Sequence, residues 1–325
     1  MPLISSDYRP KWPFVNPHFN TAAPTLFRQR SKVPYQRQML ELADGDCLAM
    51  DQLLAGHKEH IVICHGLEGH SRRPYVSNLA MMLFRQGYDV TAWNFRSCGG
   101  LMNRLPRFYH SGDTEDLRAV INRLLQQGVQ HLHLVGFSMG GNLLLNYLGK
   151  PNAAEQIRSA VALSVPCDLV SSAERLRQRE NRFYMQRFLR FLTAKIRAKA
   201  QIFPEHFNLA PLEQIKDFHG FDQAYTAPLH GFASALDYWQ QCSANRFLAN
   251  IAVPSLLINA RDDSFLTPEC FPIELARESE YLHLEIPNAG GHVGFMRWRF
   301  LRPLWSERRI LEFIQQHSPI LSEAI

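Results

Sequence analysis

The sequence predicts an α/β fold, a mostly parallel sheet with helices on both faces and one helical insertion. Three observations carry this reading. From His60 to Val165 short apolar runs alternate with helical patterns, and such alternation implies a parallel sheet covered on both sides. From about residue 167 to 245 the patterns are helical and aromatic, with no convincing strand. Strand-like runs then resume at Val253–Asn259 and Tyr281–Ile286. The 325 residues suit one domain spanning 1–325, with an N-terminal arm at 1–35 and the insertion at about 167–245.

Taken in order, the first 35 residues are proline-rich and irregular, with apolar Trp12, Phe14, Phe19 and Phe27, and read as an extended arm packed on the domain. Gln38–Leu42 and Cys47–Leu53 flank Asp44-Gly45-Asp46, the signature of a hairpin. His60–Cys64 reads as a strand entering the loop at His65. Tyr75–Gln86 has helical spacing through Leu79, Met82 and Leu83, closed by Gly87. Tyr88–Trp93 is the next strand. Thr114–Gln127 is a helix through Leu117, Val120, Ile121 and Leu124, with Asp113 as its N-cap. His131–Val135 is a strand, Asn142–Leu148 a helix and Ser159–Val165 a strand. Trp305–Gln316 reads as a closing helix.

Composition narrows the function. Hydrophobic content of 46% and charged content of 20% fit a globular protein. No apolar run approaches the ~18 residues of a membrane span, and Met1–Trp12 lacks the apolar core of a signal peptide, so a cytoplasmic location is expected. The six cysteines form no C-x-x-C pair, which speaks against zinc or disulfide-redox use; each reads as a small buried hydrophobe. No cofactor and no metal are expected. Between Glu174 and Lys199 nine Lys/Arg stand against two Asp/Glu, so this segment carries +7 of a net +5 and the rest of the chain carries −2. A basic charge confined to one segment argues against nucleic acid as a partner.

Gly136-Phe137-Ser138-Met139-Gly140 matches G-x-S-x-G, a sharp strand-to-helix turn that presents a serine. It follows an apolar strand and opens a helix, the context the motif requires. Ser138 is therefore the candidate nucleophile, the turn characteristic of the α/β-hydrolase fold. A serine hydroxyl needs a base to take its proton. In this fold the acid and then the histidine follow the serine along the chain. Val253–Asn259 ends at Ala260-Arg261-Asp262-Asp263, and Tyr281–Ile286 leads to Gly290-Gly291-His292. His292 is the candidate base, and one of Asp262 and Asp263 the candidate acid. His65-Gly66-Leu67-Glu68-Gly69 is a loop of the type that donates one oxyanion N–H. The second donor is the residue after the nucleophile, so the amides of Leu67 and Met139 are the candidates. His65 and Glu68 read as structural or solvated.

With these motifs in order, the chain resembles the YheT-like esterases, family 4 of the AB hydrolases, from about Pro13 to the C-terminal helix. The resemblance rests on the loop at His65–Gly69, on Asn94-Phe95-Arg96-Ser97-Cys98-Gly99-Gly100 and on His110-Ser111-Gly112. It continues through Gly136–Gly141, Tyr225-Thr226-Ala227-Pro228-Leu229-His230-Gly231-Phe232, Asp262-Asp263 and Gly291-His292. One departure is Ser264, where the family pattern has a proline. By position the resemblance implies Asp263 as the acid, with Asp262 the fallback. It implies hydrolysis of carboxylic esters, on short-chain esters or lipid acyl groups.

Phe188, Leu189, Leu192 and Ile196 recur at helical spacing inside the basic segment, flanked by Arg187, Arg190, Lys195, Arg197 and Lys199. Such a stripe packs on a core and leaves a solvated basic face; a peripheral contact with anionic membrane is the functional alternative. The expected partner is a small-molecule ester or lipid acyl substrate. A phospholipase, acylglycerol lipase or thioesterase is the neighbouring alternative, and a non-catalytic binding protein on a hydrolase scaffold is the alternative from another class.

Overall fold

A computed structural model of the chain describes residues 3–28, 31–298 and 303–318. The strands are β1 (Leu3–Ile4), β2 (Gln36–Glu41), β3 (Cys47–Leu53), β4 (Glu59–Cys64), β5 (Asp89–Asn94), β6 (His131–Phe137), β7 (Ile157–Leu163), β8 (Ser255–Ile258) and β9 (Leu282–Glu285). They form one sheet in the order β1-β9-β8-β7-β6-β4-β5-β3-β2. Only the β2–β3 and β3–β5 pairs are antiparallel. The β2–β3 hairpin turns at Gly45, whose φ of +83° needs a residue without a side chain. Strands β4 to β8 are buried along almost their whole length, as continuous apolar runs between two helical layers should be.

Helices α1 (Pro17–Phe27), α2 (Pro74–Arg85), α3 (Thr114–Gln126) and α4 (Met139–Gly149) precede the insertion. One face of the sheet is covered by Leu117, Val120, Leu143 and Leu144 of α3 and α4. The other is covered by Val76, Leu79 and Leu83 of α2 with Ile310 and Ile314 near the C-terminus. Between β7 and β8, among the described residues, there is no strand. This stretch holds α5 (Leu169–Arg177), α6 (Arg182–Ile202), α7 (Phe218–Phe221), a π-helical turn (Asp222–Thr226), α8 (Ala227–His230) and α9 (Ala235–Cys242). It has its own apolar cluster, in which Leu189, Leu192, Ile196 and Phe221 meet Phe108 and Phe265 from the sheet side. Helices α10 (Ile273–Glu278) and α11 (Trp305–Gln316) complete the chain.

Three expectations need correction. The N-terminal arm is not irregular: β1 pairs with β9, and α1 starts where Asn16 accepts a bond from the Phe19 amide with Pro17 at the first helical position, two standard start signals. Residues 1–2 and 29–30 of that arm lie outside the described residues. Asp113 stands at the N-cap of α3 but makes no side-chain cap bond; its carboxylate accepts from Arg107 at 2.6 Å instead. The basic segment is not one solvated face. Lys195 and Lys199 are 7% and 0% exposed, because 192, 195, 196 and 199 share one face of an α-helix. Lys199 donates to the Leu105 carbonyl at 2.6 Å, and Lys195 pairs with Glu68.

Candidate active site

Ser138 sits at the turn between β6 and α4 with φ +52° and ψ −121°, a conformation that costs a non-glycine residue of the order of 1–3 kcal/mol. The neighbouring chain enforces it. The Ser138 amide donates to the Leu163 carbonyl at 2.9 Å. Gly140 lies so close to the end of β4 that a Cβ there would come within 2.3 Å of the His65 carbonyl. The turn therefore fits only with glycine at that position.

His292 lies beyond β9 and Asp263 beyond β8. The structure brings both to Ser138. His292 Nε2 is 2.9 Å from Ser138 Oγ, and His292 Nδ1 is 2.9 Å from Asp263 Oδ2. The Asp263 carboxylate is buried and its other oxygen accepts from the Phe265 amide at 2.9 Å. The Phe265 ring stacks on the imidazole at 4.1 Å. Asp262 takes a different place: its Oδ1 accepts from the Gly291 amide at 2.9 Å and does not reach the ring. Burial, with the Asp263 charge beside it, pushes the Asp262 carboxyl above its ordinary range.

The loop carrying His292 is tied to the N-terminal arm. The His292 amide donates to Thr21 Oγ1 at 2.9 Å. Gly291, at φ +56°, leaves no room for a Cβ, which would meet the Pro17 carbonyl at 2.5 Å. Asn20 accepts from the Met296 amide at 3.0 Å and donates to Tyr8 Oη at 3.2 Å. Tyr8 in turn donates to the Met296 carbonyl at 2.7 Å. Sequence reasoning missed Tyr8, Asn20 and Thr21. The Asn16-Pro17 start of α1 was the one local signal available.

Leu67 and Met139 line the same cavity as Ser138. Met139 opens α4, so its N–H has no partner within the helix and lies at the positive end of the helix dipole. On either side of Leu67 the amides are occupied: Gly66 donates to Tyr75 Oη at 3.0 Å and Glu68 to Tyr109 Oη at 2.9 Å. His65 is a structural group. It is fully buried, accepts from the Phe95 amide at 3.2 Å, and burial lowers its pKa to about 3. Glu68 is not solvated. Its carboxylate accepts from Tyr109 Oη at 2.6 Å and from Lys195 of α6. Burial works against the Lys195 charge, and Cys98 and Glu68 beside it more than restore it. The Cys98 thiol itself is pushed up to about 12 by burial. All six cysteines are free and buried.

Two cavities meet at Ser138 and His292. The first runs under the insertion and is walled by Phe108, Leu176, Phe188, Leu192, Phe221 and Trp239. The second opens between α1, the Gly66–Gly69 loop and α6. His110, which also lines the first cavity, clusters with Asp113 and His230, one ligand atom from each lying within 4.8 Å of the others. Burial keeps both imidazoles neutral, with pKa values lowered to about 3 and about 2. Asp113 is held by Arg107.

A serine on a strained strand-to-helix turn, beside a histidine and a buried aspartate at strand ends of a mostly parallel sheet, defines the α/β-hydrolase class. The chain belongs to the alpha/beta hydrolase fold family, whose model matches residues 59–296, and within it to the YheT-like group. It is 36% identical to "Putative esterase YheT" of Escherichia coli (strain K12), over 95% of this chain and 93% of that protein. It is 28% identical to "Phospholipase ABHD3" of Mus musculus, over 97% of this chain and 79% of that one. Among solved structures, the Pyrococcus furiosus esterase Pf2001 shares the fold with a TM-score of 0.60 at 18% identity, covering 94% of this chain and 99% of the other.

Proposed function

We propose that this protein hydrolyses carboxylic esters through an acyl-enzyme on Ser138. The single observation that carries the proposal is the continuous chain of contacts from Asp263 through His292 to Ser138, at 2.9 Å and 2.9 Å, opening on an apolar cavity. His292 Nε2 takes the proton as Ser138 Oγ attacks the ester carbonyl. Asp263 fixes the Nδ1–H tautomer and stabilises the imidazolium. The amides of Leu67 and Met139 receive the oxyanion. His292 then protonates the leaving alcohol, and a water activated by the same ring releases the acid.

The insertion acts as a lid over the first cavity, whose apolar walls suit an acyl chain. Lipid acyl esters are favoured over small polar ones for that reason, in keeping with relatives named as phospholipase and as monoacylglycerol lipase. If the basic segment contacts an anionic membrane, Arg190 and Arg197 carry that contact, since Lys195 and Lys199 face inward. A fluorophosphonate probe is expected to label the protein at Ser138. A chain-length series of nitrophenyl esters and acyl thioesters then ranks ester against thioester and short against long. Absence of labelling would replace this reading with that of a binding protein.

A further inference from the structure

We infer that Arg73, Arg187 and Arg190 form an anion subsite at the mouth of the second cavity, which binds a phosphate or carboxylate on the alcohol portion of the ester. Three guanidinium groups surround one ring: Arg73, Arg187 and Arg190 lie 5.9, 5.7 and 5.2 Å from the centre of Phe191. They come from two elements, the residue before α2 and successive turns of α6. Arg73, Arg187 and the Phe191 ring line the cavity that reaches Ser138 and His292, and Arg190, over the same ring, is exposed. Among the described residues none of the three has a carboxylate within 4.0 Å. Glu68, the one acid lining this cavity among the described residues, pairs with Lys195. Among the described residues the Arg73 side chain donates its hydrogen bond to the Glu68 carbonyl, at 3.3 Å.

Cation–π contact with a phenylalanine offers each arginine roughly 0.5–2 kcal/mol, but it does not relieve the repulsion of three like charges. Burial and the charges of Arg73 and Arg190 lower the pKa of Arg187, as expected for cations gathered without a counter-ion. An incoming anion would supply it, through charge-assisted bonds of the kind guanidinium groups make to phosphate and carboxylate. The position fixes the substrate's layout. Arg73 contacts the residue after Leu67, so an anion held there sits beside the reacting carbonyl while the acyl chain occupies the apolar cavity. The substrate class is then an acyl ester whose alcohol is anionic.

This inference rests on the esterase reading for its substrate but not for its binding site, and the test separates the two. Hydrolysis of 1-octanoyl glycerol and of 1-octanoyl glycerol 3-phosphate is compared in the wild type and in Arg187→Gln/Arg190→Gln, with inorganic phosphate binding measured by calorimetry on both. In the wild type kcat/KM favours the phosphate ester. In the double variant the ratio of the two kcat/KM values falls about 10- to 100-fold, the range expected for loss of charged hydrogen bonds, mainly through KM, and phosphate binding weakens in parallel. Arg187→Lys restores part of the ratio. An unchanged ratio with unchanged phosphate binding overturns the subsite. So does a variant that loses binding only to vesicles of phosphatidylcholine with phosphatidylglycerol, since the arginines would then serve a membrane surface. If the wild type cleaves neither ester, the esterase reading fails, and the calorimetric comparison alone decides the anion site.

Discussion

Ser138 and His292 meet at 2.9 Å, yet they are held by different kinds of contact. Ser138 is fixed by the strands beside it: the end of β7 accepts its amide, and the end of β4 crowds Gly140. His292 stands on a loop fixed by residues far away in sequence, with Thr21 of α1 binding its amide and Asn20 and Tyr8 tying the chain just beyond it. Ser138, the proposed nucleophile, is thus held by the sheet, while His292, the proposed base, depends on docking of the N-terminal arm. Motion or damage in the arm should reach catalysis through His292 and leave the serine's own geometry intact.

Substitutions can break or sharpen this contrast. The largest effect is expected from Ser138→Ala, which should abolish probe labelling and lower ester turnover by about 10⁶-fold, as removal of a triad serine does elsewhere. Next comes Asp263→Asn, expected to cost about 10⁴-fold in kcat because the imidazole would lose its tautomer. Asp262→Asn retains an oxygen for the Gly291 amide and should cost less than about tenfold; steady-state kinetics on the pair decides which aspartate is the acid, and the reverse ranking would exchange their roles. Lys195→Met leaves the Glu68 carboxylate buried in the loop of the proposed oxyanion donor Leu67, a break that costs about 3–5 kcal/mol in comparable pairs. A fall in melting temperature with a kcat loss larger than any change in KM is expected, and adding Glu68→Gln should recover part of both. A far smaller effect than that of Asp263→Asn is expected for Thr21→Val, which strands the His292 amide at a cost of about 1–3 kcal/mol. It should slow turnover of a nitrophenyl ester about tenfold while probe labelling at Ser138 persists. If Thr21→Val were silent, the arm would not be positioning the base.

The same contrast explains what could be read from the sequence. The elbow was legible because strand, glycines and serine are contiguous, and the order of serine, acid and histidine follows from the topology of the sheet. Asp262 and Asp263 could not be separated by spacing, since adjacent residues on a turn differ only in direction. Thr21 was hidden because nothing local links it to a residue 271 positions later. Lys195 was misread for a different reason. A lysine beside other cations looks solvated, and only the position of Glu68 across the fold reveals a buried partner. The helix in the arm escaped notice among its prolines, although Asn16-Pro17 marked its start.

The short pairing of β1 with β9 has a consequence for solubility. A sheet ends in two open edges, each a template for another chain. At β2 the edge guards itself with polar and charged residues such as Arg37 and Glu41. At β9 the sequence Leu-His-Leu-Glu offers little such protection, and the arm supplies the cover, with β1 pairing to Leu284 and Glu285 and Asp7 accepting from Trp305. An N-terminal truncation should therefore leave a protein that both loses activity and self-associates through its bared strand.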